Sequence, residues 1–227
     1  MNPGQSTRHD CRIIRQASAA DIPFLVEGII AAEKSGTERL SYCTIFGLSE
    51  LELRSILVDV LSEDIVGQEL CVSGFKVAEV AGMRAGAVCS WVEARAGRPS
   101  GVLKANLLIH FFGRARMAAA ASKMQTVEAL NFHRKPGALQ LESVYVAAEF
   151  RGRGVVAGLI AAASEEARSL KPPIDRAQII LMKSNELALN AYLRAGFEVV
   201  EERCSDDPRI LELLPASSKV LMEMPIN

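Results

Sequence analysis

Two arginines and two glycines stand together in Arg151-Gly152-Arg153-Gly154, followed by Val155, Val156 and Ala157. They fall where an apolar, strand-like run (138–146) hands over to an alanine-rich, helix-like run (155–170). A helix entered this way has first backbone N–H groups that nothing inside the helix accepts. Its dipole adds about half a positive charge there. An anion fits that environment, phosphate above all. Glycine removes the Cβ that would hold a phosphate off the backbone, and arginine can grip it with two parallel hydrogen bonds. Residues Arg151 to Ala157 therefore read as a cradle for a diphosphate, although a basic turn without a ligand would carry the same letters. The usual nucleotide signatures are missing: no Gly-Lys-Ser/Thr follows the glycines, and "GRGVVA" supplies G-x-G-x-x-A rather than G-x-G-x-x-G.

A second group able to do chemistry lies in "NELALNAYLRAGF", which opens at Asn185 and closes at Phe197. Asn185 can cap a helix or bond a ligand. Tyr192 can donate a proton or pack with its hydroxyl satisfied. Glu142, two residues before Val144, can act as a base or as a salt-bridged surface group. His110, beside Phe111 and Phe112, reads as a packing residue, and His133 as a solvated one. With 3 histidines, no close pair among them, and 5 cysteines without a C-x-x-C, no metal site is expected. The cysteines read as small buried hydrophobes of a reducing compartment, so a cytoplasmic location is expected.

These residues must be held by regular elements. After a flexible leader (1–10), residues 11–17 suit a strand. Ser18, with Asp21 three residues on, opens a helix carrying Ile22, Leu25, Val26, Ile29 and Ile30. Ser49 caps a second helix. "ELCVSGFKVAEVA" and "AGAVCSWVEARA" read as a hairpin with its tight turn at 82–84. One or two helices fill 102–130, stopped by Pro136 and Gly137. Strand 138–146, helix 155–170, strand 177–184, a helix from Asn185 ended by Gly196, and two closing strands complete the order. The pattern predicts an α/β domain with a mixed sheet spanning 11–227.

Composition bounds the function. Hydrophobic residues make up 49% of the 227, enough for a full core, and a net charge of -1 argues against bulk-charge binding to nucleic acid. No apolar run is long enough to span a bilayer, so no membrane partner is expected.

Taken together, the two motifs resemble the GCN5-related N-acetyltransferase (GNAT) superfamily. Its Gln/Arg-x-x-Gly-x-Gly/Ala motif is matched by Arg151 and Gly154, with Val156 where Gly or Ala is usual. Its N-x-x-A-x-x-x-Y-x-x-x-G-F pattern is met by Asn185, Ala188, Tyr192, Gly196 and Phe197. The resemblance implies a mostly antiparallel sheet flanked by helices, with splayed fourth and fifth strands; the helical segment near 102–130 is longer than the family's usual link. It implies acetyl-CoA as cosubstrate, its pyrophosphate on the amides of Arg151, Gly152, Arg153, Gly154, Val155, Val156 and Ala157. Its pantetheine would lie between the splayed strands, along Val144, Tyr145 and Val146, with Asn185 bonding it. The Val144 amide would polarise the thioester carbonyl, an effect worth about 3 kcal/mol per donor. Tyr192 would protonate the leaving thiolate.

The resemblance further implies acetyl transfer to a primary amine of a small molecule or peptide. Such an amine needs to shed a proton, at a cost of roughly 4 kcal/mol near neutral pH. Glu142 is the candidate base; Gln140 stands where other members carry a glutamate, and a water wire could also serve. The alternative is a non-catalytic acyl-CoA sensor of the same fold. The acceptor site would be built from the first helices and the region 37–48, which carry no motif. Glu38, Glu50, Glu52, Glu63 and Asp64 could greet a cationic amine or be solvated helix faces. The 102–130 segment could cover the acceptor groove or pack against a second subunit as a homodimer contact.

Overall fold

The computed structural model describes residues 12–95 and 97–226. The leader 1–10 and Cys11 of the expected first strand lie outside them. The strands are β1 (Arg12–Gln16), β2 (Phe75–Val80), β3 (Met83–Val92), β4 (Leu139–Val146), β5 (Arg176–Met182), β6 (Glu198–Cys204) and β7 (Ser218–Pro225). The helices are α1 (Ile22–Lys34), α2 (Ser41–Phe46), α3 (Glu50–Glu63), α4 (Ser100–Phe112), α5 (Arg114–Val127), α6 (Val155–Ser169), α7 (Glu186–Arg194) and α8 (Ile210–Leu213). All the strands join one sheet in the order β1-β2-β3-β4-β5-β7-β6. Every neighbouring pair is antiparallel except β4 with β5.

Alternate strand residues feed two apolar layers, as period-2 side-chain alternation requires. Phe75, Val77, Ala87 and Cys89 face α1 to α5, while Ala78, Val88, Leu141 and Ile179 face α6 and Phe197. With both faces covered, the central strands read as nearly continuous apolar runs.

Local chemistry moves several boundaries. The hairpin turn is Ala81-Gly82, both left-handed (φ 51° and 78°), and Val80 pairs with Met83. A two-residue turn of this hand matches the strand twist, so Met83 and Arg84, read as turn, are already strand. The residues before β2 do not extend the strand: Val72–Gly74 is a 3₁₀ turn, and the Ser73 amide donates to Asp64 Oδ1 at 2.7 Å. The Ser18/Asp21 capping box forms, but it opens a 3₁₀ turn ahead of α1. The 102–130 segment is two helices broken at Gly113 (φ 80°). It starts early because buried Glu93 accepts the Ser100 amide at 2.9 Å and the Ser100 hydroxyl at 2.6 Å. Neither α2, within the 37–48 region that carries no motif, nor α8 is predicted by the sequence pattern.

Two features of β4 shape the site. Its register with β3 runs Gly86↔Val146 and Ala87↔Tyr145, then jumps to Cys89↔Glu142, so β4 carries one extra residue. Ser143 takes up the bulge with φ 51°. On its other edge β4 pairs with β5 only over Leu139–Leu141 and Ala177–Ile179, beyond which the strands part.

Candidate active site

Gly152 and Gly154 both adopt the left-handed region (φ 75° and 70°), where a side chain would be strained. They turn the chain from β4 into α6, whose N-cap is Gly154. The Arg12 guanidinium holds this turn from behind, bonding the Gly154 carbonyl at 2.9 Å and the Arg153 carbonyl. The amides of Gly152, Gly154, Val155, Val156 and Ala157 donate to no group among the described residues. The turn borders a cavity of about 730 Å³ walled by Val144, Tyr145, Val146, Phe150 and the outer face of α7. Of the two cradle arginines, Arg151 lines the cavity and bonds the Val146 carbonyl at 3.3 Å. Arg153 does not line it, and its guanidinium lies 5.6 Å from the Phe150 ring centre.

On the other side of the β4 bulge lies a second cavity, of about 620 Å³. Its walls come from α1, α2, α4, α5, β4, β5 and the start of β7. Six charged side chains face it: Glu33, Glu69, Glu142, Lys104, Arg134 and Lys219. Four of them pair, Lys104 with Glu69 at 2.5 Å and Arg134 with Glu142 at 2.7 Å. Arg134 also bonds Gln140 Oε1 at 3.2 Å and stacks 4.8 Å from the Trp91 ring. Burial alone would lower the Lys104 pKa, but Glu69, Tyr42 and Glu33 outweigh it and hold the ammonium well above its ordinary range. Burial is also the largest influence on Glu69, working against its ionisation, yet Lys104 and Arg134 bring its pKa down.

Val144, Asn185, Ala188 and Tyr192 line both cavities. Tyr192 is 6% exposed. Burial, with a smaller push from Glu142, raises its pKa, so the phenol keeps its proton at neutral pH. Asn185 Oδ1 accepts the Ala188 amide at 3.2 Å, capping α7. Asn185 is thus a helix cap whose position also borders both cavities.

The remaining expectations sort as follows. Gln140 is fully buried and bonds Gln178 Oε1 at 2.8 Å, part of a polar ladder that continues to Glu223. The acidic residues read as a welcome for an amine do not line the second cavity. Glu38 borders the first cavity instead, Glu50 pairs with Arg54 at 2.7 Å, and Glu52 caps α3 through Ser49. His110 is exposed rather than packed inward, its ring 4.9 Å from that of Phe111. Cys71 and Cys89 are buried, but Cys43 is half-buried and Cys204 exposed. The α4–α5 pair walls the second cavity through Lys104, Leu108, Met117 and Met124. No grouping of three or more His, Cys, Asp or Glu among the described residues could hold a metal. No helix among them is long and apolar enough to cross a membrane.

Sequence reading missed Arg12, Glu33, Glu69, Lys104, Arg134 and Lys219. None stands in a motif of its own, and only the packing of distant elements brings Glu33, Glu69, Lys104, Arg134 and Lys219 to one cavity.

Residues 83–197 match the profile of the acetyltransferase (GNAT) family, about half of the chain. No curated protein sequence matches. Among solved structures, one described as an acetyltransferase superposes with a TM-score of 0.58 at 16% identity, covering 95% of this chain and 100% of the other. An N-acetyltransferase from Staphylococcus aureus Mu50 gives 0.56 at 16% identity, covering 93% and 100%. A ribosomal-protein-alanine N-acetyltransferase from Brucella melitensis gives 0.50 at 17% identity, covering 94% and 99%. At such identities these relatives speak for the fold alone. Like them, the chain has a mostly antiparallel sheet flanked by helices, with its parallel pair at β4 and β5. The family match across the cradle and the tyrosine helix carries the stronger statement: this chain belongs to the GNAT acetyltransferase family.

Proposed function

We propose that this protein transfers an acetyl group from acetyl-CoA to the primary amine of a small molecule or peptide, both substrates being bound at once. The observation that carries the reading is the position of Tyr192, a buried, protonated phenol at the wall shared by a cavity with free backbone amides and a cavity with ionised side chains.

The first cavity fits acetyl-CoA. Its uncommitted amides at a helix start suit a pyrophosphate, and the parted edges of β4 and β5 leave room for an extended pantetheine. Acetyl-CoA supplies the activated acetyl group; the chain supplies position and protons. Val144, in the β4 bulge, offers its amide to the thioester carbonyl. Tyr192 gives its proton to the departing sulfur and regains one from solvent. A carboxylate of the second cavity relieves the ammonium of its proton. Glu142, already tied to Arg134, and Glu33, without such a tie, are the two nearest the bulge and α1 walls.

The test is release of free CoA thiol on mixing the protein with acetyl-CoA and a panel of primary amines. Amine-dependent release is expected. Micromolar binding of acetyl-CoA with no release for any amine would overturn this reading in favour of an acyl-CoA sensor.

A further inference from the structure

The side chains of Lys219 and Glu33 make no hydrogen bond or ion pair among the described residues, although both are half-buried in the second cavity. The other four charged groups there are satisfied in two internal pairs. Three carboxylates and three cations thus leave one free charge of each sign. The two come from separate elements, Glu33 from the last turn of α1 and Lys219 from the start of β7, beside Met182, and they attract each other without forming an ion pair. Leaving ionisable groups without partners at a half-buried site costs stability. Burial is the largest influence on each: it pushes the Glu33 carboxyl above its ordinary range against the attraction of Lys104 and Lys219, and pulls the Lys219 ammonium below its own against the attraction of Glu33 and Glu142. A site that carries this penalty while its neighbours are neatly paired is matched to a ligand with the complementary two charges.

Building on the proposed acetyl transfer, we infer that the acceptor is a small zwitterion, an amine that also bears a carboxylate, with Glu33 receiving the amine and Lys219 the carboxylate. A polyamine would leave Lys219 facing a second positive charge. A phosphorylated amine would bring more negative charge than one free lysine matches. The cavity, about 620 Å³, suits a small molecule. In the reaction Glu33 takes a proton from the docked ammonium, the freed nitrogen lone pair forms the C–N bond, and the C–S bond breaks. The sulfur takes the Tyr192 proton, the nitrogen of the new amide gives its second proton to solvent, from which Tyr192 is reprotonated, and the proton on Glu33 leaves to solvent.

The test compares kcat/KM for straight-chain ω-amino acids of increasing length with that for the alkylamine and α,ω-diamine of the same length, using the full chain and saturating acetyl-CoA. At the best length the amino acid is expected to exceed both by roughly 10- to 100-fold, the worth of one charge-assisted hydrogen bond. Lys219→Glu is expected to invert the order, so that the diamine leads, and Lys219→Met to erase it. Glu33→Gln is expected to lower kcat about 10²-fold with acetyl-CoA affinity retained. Because the Glu33 pKa is raised on folding, its ionised form opposes folding at neutral pH. Glu33→Gln therefore raises the urea midpoint at neutral pH and not below about pH 4.3, the ordinary carboxyl pKa. Equal kcat/KM for amino acid and alkylamine in the unaltered protein, which needs no variant to fold, would overturn the inference while leaving acetyl transfer intact. An unchanged preference in Lys219→Glu would do the same. Binding of acetyl-CoA without acetylation of any compound would overturn the proposed function, and this inference with it.

Discussion

The two cavities meet at Tyr192 and are built on opposite plans. The first cavity, proposed for the donor, works with backbone: free amides after two left-handed glycines, a bulged strand and a parted sheet edge. The second, proposed for the acceptor, works with side chains: charged groups delivered by α1, α4, β4, β7 and the loops before β2 and β4. The glycine turn needs particular residues at adjacent positions, so it leaves a local motif. A charge constellation needs only that distant segments converge, so each contributing residue looks like any surface charge.

The contrast can be broken first on the acceptor side. Lys104→Met strands the buried Glu69 carboxylate and is expected to cost about 3 kcal/mol in urea unfolding. Adding Glu69→Gln should recover most of it. Acetyl-CoA affinity, read by calorimetry, should be unchanged in both. If the single substitution were neutral, the paired charges would not be part of the structural frame, and the distinction between paired and free charges would lose its meaning.

Tyr192→Phe tests the shared wall. Turnover should fall about 10²-fold, with acetyl-CoA binding and the acceptor KM nearly constant, since in the proposed mechanism the hydroxyl supplies a proton and not a binding contact. A comparable fall in acetyl-CoA affinity would move Tyr192 wholly to the donor side.

Gly86→Ala sharpens the donor side. A Cβ there would sit 2.6 Å from the Tyr145 carbonyl oxygen and 2.9 Å from Val155 Cγ1, so β4 after its bulge, or the start of α6, has to move. About 2 kcal/mol of stability should be lost, with acetyl-CoA affinity reduced and the acceptor preference kept. Calorimetry and urea unfolding on one sample separate the two effects.

The smallest effect is expected for Arg151→Ala. The side chain is exposed and already bonded to the Val146 carbonyl, so its loss should weaken acetyl-CoA about fivefold, less at high salt. A loss of a hundredfold would make the cradle depend on side chains as the acceptor cavity does.

Much of this molecule is legible from its letters, and for local reasons. Arg151 to Ala157 and Asn185 to Phe197 carry their own turn and cap chemistry, so the cradle, α6 and α7 fall where the sequence puts them. The nearly continuous apolar runs of β2, β3, β4 and β5 mark the sheet. Boundaries slipped where a side chain from elsewhere intervened: Glu93 pulled α4 back to Ser100, and Asp64 held the approach to β2 as a turn. Glu142 was visible as a carboxylate on the right strand, but nothing near it in sequence announces that Arg134 claims it.

By itself, then, the sequence determined the sheet, the glycine turn into α6 and the tyrosine helix, because each depends on residues within one or two turns of one another. Only the tertiary structure decided the β4 bulge, the burial of Gln140 and the set of charges around the second cavity, Glu33 and Lys219 among them. Those depend on which distant segments pack together and on how much water is left between them. Pairing and burial decide whether a charge is a structural partner or is left free for a substrate, and neither is a property of a residue in its own stretch of chain.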